Sequence, residues 1–170
     1  VGTTQHTLVT SGEFRALMSS FPSGVAVLTS IGPDGTPVGL TCSSLCSVSL
    51  DPPVLLACVR SASPTLDAIL RFGGFAVNML HEDARTTSEL FSSGAPDRFD
   101  RVTWRPATDS GLPHLVDQAH TIAECEIRQS ETVGDHTVVF GGVRRVRPLT
   151  SAPPKPLVYG LRRYTGWPPR

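Results

Sequence analysis

Hydroxyls and thiols stand where a buried strand would normally carry valine and isoleucine in the stretch GLTCSSLCSVSLDPP, from Gly39 to Pro53. Thr41, Ser43, Ser44, Ser47 and Ser49 are either the polar face of a half-exposed sheet or a wall against which something polar lies. A second stretch, VRSASPTLDAIL, leaves an apolar strand and enters a helix, with Ser63 at the N-cap and Pro64 at the first helical position. Unpaired N–H groups and the helix dipole attract anions at such a start. Arg60, Ser61, Ser63 and Thr65 add one charge and three hydroxyls around it. The plainer alternative is a well-capped helix beside a surface arginine. Only a short corner at Asp51-Pro52-Pro53 separates the two stretches, so Thr41, Ser43 and Ser44 can face the same space as Ser63. A donor-rich neutral wall that ends in an anion site suits a flat heterocycle with a phosphorylated tail.

Other chemistries lack their residues. The chain has no G-x-G-x-x-G after a strand, no G-x-x-x-x-G-K-[ST] and no G-x-S-x-G. His81-Glu82 has no second histidine four positions on, and His6, His81, His114, His120 and His136 are scattered, so no metal site is expected. Cys42, Cys46, Cys58 and Cys125 form no C-x-x-C. On an extended segment Cys42 and Cys46 lie roughly 13 Å apart, beyond the about 4.4–6.8 Å of a disulfide. The four are expected to be small buried side chains.

The elements that must position these residues are short. Thr10-Ser11-Gly12-Glu13 reads as a capping box, and Phe14, Leu17, Met18 and Phe21 follow at helical spacing until Pro22 and Gly24. VAVLTSI, the turn GPDG and TPVGLT read as strand, turn, strand. LCSVSL, VLLACV, FAVNML and PLVYGL are further strands, and two long strands meet around Gly134-Asp135. A polar, partly helical excursion occupies 81–100. Six or seven mostly antiparallel strands with two or three short helices, and no regular βα alternation, argue against a doubly wound parallel sheet. A closed or nearly closed barrel with flanking helices is the expected mainly-β fold. One domain over 1–170 is expected, with 1–10 flexible and 165–170 an irregular tail.

Fifteen basic and fifteen acidic residues balance, which gives no electrostatic reason to expect nucleic acid or a membrane as partner. No apolar run has the length of a membrane span and no leader pattern opens the chain, so the cytoplasm is the expected compartment.

The sequence resembles the flavin reductase family that supplies reduced flavin to two-component monooxygenases. The resemblance is carried by FPSGVAVLTS, DGTPVGLTCSSLCSVSLDPPVLLAC, SASPT, FAVNML, RFD, the GDH at 134–136 and PLVYGLRRY, in that order, from about Phe14 to Tyr164. It implies a split-barrel flavin-binding fold, a homodimer, and reduction of FAD or FMN by NADH or NADPH, NADH being favoured. The reduced flavin would pass to a separate monooxygenase. The resemblance also implies a flavin ring and ribityl chain near Thr41, Cys42, Ser43 and Ser44, and a phosphate near Ser61, Ser63 and Thr65. Arg98 and Phe99 match a segment that approaches the flavin. His136 and Tyr164 match residues on the nicotinamide side. Arg144, Arg162 and Arg163 are candidates for a 2′-phosphate contact without assigned positions. No catalytic acid, base or nucleophile is implied, because hydride transfer is chemistry of the cofactors themselves.

Three rivals stand beside this. An oxidase of the pyridoxine-phosphate type would keep its flavin and carry a more basic pocket. A flavin-binding or storage protein would bind flavin without consuming NADH. A purely structural barrel would bind none.

Overall fold

The computed structural model describes residues 9–168. Helix α1 (Ser11–Ser19) starts on the expected capping box: Glu13 N–H donates to Thr10 Oγ1 at 3.2 Å, and Thr10 N–H donates to the Glu13 carboxylate at 2.8 Å. Thr10, expected in a flexible arm, is thus fixed as a cap; residues 1–8 lie outside the described residues. The apolar side of α1 meets no core, since none of its residues is buried and Phe14, Leu17 and Met18 are exposed. Past the helix, Phe21 is exposed as well.

The chain continues through β1 (Ser23–Gly24), β2 (Ala26–Ile31), β3 (Pro37–Cys42), β4 (Leu45–Leu50) and β5 (Pro53–Arg60). Then come α2 (Pro64–Phe72), β6 (Gly74–Leu80), α3 (Arg85–Ser93), and the two-residue strands β7 (Arg105–Pro106) and β8 (Pro113–His114). The long strands β9 (Ala119–Val133) and β10 (His136–Pro148) form the expected hairpin, and β11 (Leu157–Gly160) and β12 (Arg163–Gly166) close the chain. Thr165 and Gly166, expected in an irregular tail, are therefore strand residues paired with β11.

Seven strands form one antiparallel sheet in the order β3-β2-β6-β9-β10-β5-β4. Its two edge strands, β3 and β4, are consecutive in the chain and are joined only through Ser43 and Ser44. A seven-stranded sheet can bring its edges within two residues of each other only by curling round on itself, so the sheet is a barrel. The edges are not hydrogen-bonded to each other, and the barrel is split at that serine pair.

Inside, Ala26 and Leu28 of β2, Phe75 and Val77 of β6, Val59 of β5 and Val139 of β10 pack with Leu66 and Ile69 of α2. Burial of each large side chain stabilises by about 1.5–3 kcal/mol. Leu66 and Ile69 are spaced to share one face and are buried, whereas Leu70, expected on that face, is 39% exposed. A second cluster joins Val27, Leu80, Phe91, Phe99 and Leu115 and fastens α3 to the outside of the barrel. Gly39 makes this approach possible. A Cβ there would lie 2.9 Å from the Leu28 carbonyl oxygen and 3.1 Å from the Phe91 ring. Among the described residues no helix is long and apolar enough to cross a membrane.

Candidate functional site at the split

A cavity of about 340 Å³ opens at the split. Thr41, Cys42, Ser43 and Ser44 line it together with Phe91 and Ser92 of α3, which packs on β3, and Arg60, Ser63 and His136 complete the lining. The two stretches singled out in the sequence therefore meet in one space. Antiparallel pairing explains the end wall, because His136 at the start of β10 stands opposite Arg60 at the end of β5.

The hydroxyls differ in what they have left to offer. Thr41 donates to the Ser88 carbonyl at 2.6 Å, and Ser44 donates to the Cys58 carbonyl at 2.9 Å. Each has already given its one proton; Thr41 retains lone pairs, whereas Ser44 also accepts the Cys58 N–H at 3.3 Å and lies 3.4 Å from the Cys42 thiol. The Ser43 hydroxyl has no intramolecular partner among the described residues, and Ser43 also lines two further cavities of about 580 and 540 Å³. Ser63 is the N-cap of α2 by position, yet its side chain makes no cap hydrogen bond. The expected capping contact is absent, which leaves that hydroxyl turned to other use beside the first-turn N–H groups of a nine-residue helix.

Other expected residues lie elsewhere. Ser61 is engaged with Thr137 at 3.0 Å, and Thr65 is buried in the first turn of α2; neither lines the cavity. Arg98 also lies outside it: its guanidinium donates to the Gly39 carbonyl at 3.0 Å and to the Ala95 carbonyl at 2.8 Å. Burial pushes its pKa down from the usual arginine value, and the bonds fix the 94–98 loop to β3. Phe99 is buried edge-on between Phe91 at 5.1 Å and Trp104 at 5.9 Å, supporting the cavity from behind. Tyr164 lies on β12, its hydroxyl 3.0 Å from Ser88 Oγ. Arg162 borders the 580 Å³ cavity, whereas Arg144 is paired with Glu126 at 2.8 Å on another part of the surface.

His136 Nδ1 stands 2.8 Å from the Asp135 carboxylate. That hydrogen bond, then the charge of His136, holds the Asp135 carboxyl below its usual range, with Arg60 adding to the effect. Arg60 and His136, the latter bonded to Asp135, thus stand at the end of the cavity where α2 begins. The cysteines are free, as expected. Against the expectation that all four are buried, however, Cys58 is half-buried, and Cys46 is exposed because its position on edge strand β4 faces away from the barrel core. Cys42 is buried, and burial raises its thiol pKa, with the Ser44 hydroxyl opposing. Among the described residues no cluster of His, Cys, Asp or Glu could hold a metal ion.

Sequence reasoning missed Phe91 and Ser92. Their segment was legible as partly helical, but no local signal placed it beside Thr41. Arg60 was visible as a charge near the helix start; only its pairing with His136 places both at one end.

Fold and cleft together define a class: a β-barrel split at a serine pair, with a polar cleft that ends on a cation-bearing helix start. A family model described as a flavin reductase like domain matches residues 18–168, and the chain belongs to that family. It is 48% identical over 161 residues to a flavin reductase (NADPH) of Lentzea aerocolonigenes, covering 95% of this chain and 92% of that one. Nitrilotriacetate monooxygenase component B from Mycobacterium thermoresistibile superimposes with a TM-score of 0.85 at 37% identity, over 91% of this chain and 85% of its own. The NADH:FAD oxidoreductase of Streptomyces globisporus C-1027, solved with NAD and FAD fragments, gives 0.83 at 29% identity, over 93% and 94%. The split barrel is the fold these proteins share.

Proposed function

We propose that the protein is an NAD(P)H:flavin oxidoreductase that reduces FAD or FMN and releases the reduced flavin to a separate monooxygenase. The observation that carries this is the convergence of Ser43, Ser44, Ser63, Arg60 and His136 on one cleft at the barrel split. The residues fit a flavin. Unpaired edges at the split leave backbone groups for the polar rim of the ring, and small side chains at 41–44 let it approach. Ser43 is free to donate. Ser63, the first-turn N–H groups of α2 and Arg60 match a phosphate.

Bound together, the cofactors supply the chemistry, a hydride passing from the nicotinamide ring to the flavin. The chain's own part is to orient and to hold charge. With the cofactors bound, Thr41 would accept a hydrogen bond from the flavin, Ser44 would hold the wall beside it, Arg60 would balance the phosphate, and His136 would serve the nicotinamide nucleotide. Arg98 and Phe99 keep β3 and α3 in place behind the cleft. No residue acts as acid, base or nucleophile. An open cleft suits a flavin that is handed on.

The exposed apolar side of α1, with Leu50 of edge strand β4 at 89% exposure, supports a homodimer in which a second copy covers these residues. Four unpaired thiols suit a reducing, cytoplasmic setting.

The test is oxidation of NADH and NADPH with FAD, FMN and riboflavin each added in excess. Turnover that depends on added flavin is the expected result. A folded protein that turns over none of the six pairs ends the proposal.

A further inference from the structure

We propose that Tyr164 is a positioning residue that sets the flavin cleft through Ser88, and not a nicotinamide contact; this rests on the flavin reductase function above. Tyr164 lines none of the three cavities that meet at Ser43. Its hydroxyl lies 3.0 Å from Ser88 Oγ, and Ser88 is completely buried in α3. The carbonyl of the same Ser88 accepts the Thr41 hydroxyl at 2.6 Å. One buried residue is therefore held from β12 through its side chain and from β3 through its backbone.

Both bonds act where α3 packs on β3, and both elements line the cleft. Thr41 lines it from β3, and Phe91 and Ser92, one turn beyond Ser88, line it from α3. Fixing Ser88 against Thr41 fixes where α3 sits on β3. The Tyr164 ring is itself held, with the Arg85 guanidinium 5.5 Å over it and Tyr159 at 4.8 Å. A buried hydroxyl is costly to leave unpaired, so Ser88 has reason to stay on Tyr164. Without the phenol oxygen, Ser88 must find another partner, and the α3 side of the cleft shifts with it.

The experiment compares Tyr164→Phe, Ser88→Ala and the double variant, each checked for an unchanged circular-dichroism spectrum and its Tm. Flavin affinity is read by fluorescence quenching without nicotinamide, and KM for flavin and for NAD(P)H by turnover. Loss of one hydrogen bond predicts flavin binding about fivefold weaker in each single variant, with KM for NAD(P)H within about twofold of wild type. Both singles break the same bond, so the double variant is no worse than either. A raised KM for NAD(P)H with unchanged flavin affinity overturns the proposal and makes Tyr164 a nicotinamide contact. Additive losses, or equal loss in both substrates with a lowered Tm, overturn it in favour of general loosening. The quenching measurement stands without turnover. A wild type that binds flavin but consumes no NAD(P)H thus defeats the reductase function while the claim about Tyr164 is still decided.

Discussion

Ser44 holds Cys58 at both backbone groups, donating its hydroxyl to the Cys58 carbonyl at 2.9 Å while the Cys58 N–H is shared between the Ser44 hydroxyl and the Ser44 carbonyl, each at 3.3 Å. This pair ties the link between β3 and β4 to β5 at the place where the barrel is split. Ser44→Ala removes both side-chain bonds and keeps the backbone one. A loss of about 1 kcal/mol of stability is expected from urea unfolding, together with a raised KM for flavin. Unchanged values in both would remove Ser44 from the cleft's support.

Ser63 makes no cap bond, so its loss should leave stability alone. Ser63→Ala is expected to change unfolding free energy by less than about 0.5 kcal/mol, while KM rises for FMN and FAD and not for riboflavin. A stability loss of the size of a lost cap, about 0.5–2 kcal/mol, would restore the ordinary helix-cap role.

Arg60 and His136 stand opposite each other across β5 and β10 and divide one end of the cleft. Arg60→Gln should weaken phosphorylated flavins about tenfold, as loss of a charged partner does, and spare riboflavin. His136→Ala should raise KM for NAD(P)H more than KM for flavin. Equal rises in steady-state kinetics would place His136 on the flavin phosphate instead.

Two histidines make stability fall in mild acid. Burial pushes His114 below its ordinary value; Glu124 at 3.4 Å opposes this, and Arg147 and Arg145 add to it. Burial also lowers His120, with His81 contributing. A lowered folded pKa means that the unfolded chain takes up protons first. Stability is therefore complete above the ordinary histidine pKa, about 6.5, and declines as pH drops below it. Tm measured between pH 8 and pH 5 should decline, and His114→Gln should flatten part of that slope. A flat profile in the wild type would contradict the burial of both rings.

Thiol accessibility should divide the four cysteines. Cys46 is exposed, Cys58 intermediate, and Cys42 and Cys125 buried. Burial raises the Cys125 thiol to about 12, so it resists ionisation as well as contact. A native titration with an aromatic disulfide should show one fast thiol, lost in Cys46→Ser. Four fast thiols would indicate an open barrel.

What the sequence determined by itself was local. The capping box at Thr10 and Glu13, the proline-started α2, the β9–β10 hairpin and the hydroxyl run from Thr41 to Ser49 all depend on neighbours within a few residues. Periodicity and turn chemistry suffice there. The motif order also carried the family, and with it the split barrel. Tertiary structure alone decided which hydroxyls remain available. Thr41 is bound to Ser88, 47 positions along the chain, and Ser61 to Thr137, 76 positions away. It also turned Arg98 to the back of β3 and carried Phe91 to the face of the cleft, while α1 kept an apolar side with no core to cover it. A hydrogen-bonding group has one geometry to satisfy. Its partner is fixed by how the sheet curls, and curvature is a property of seven strands together.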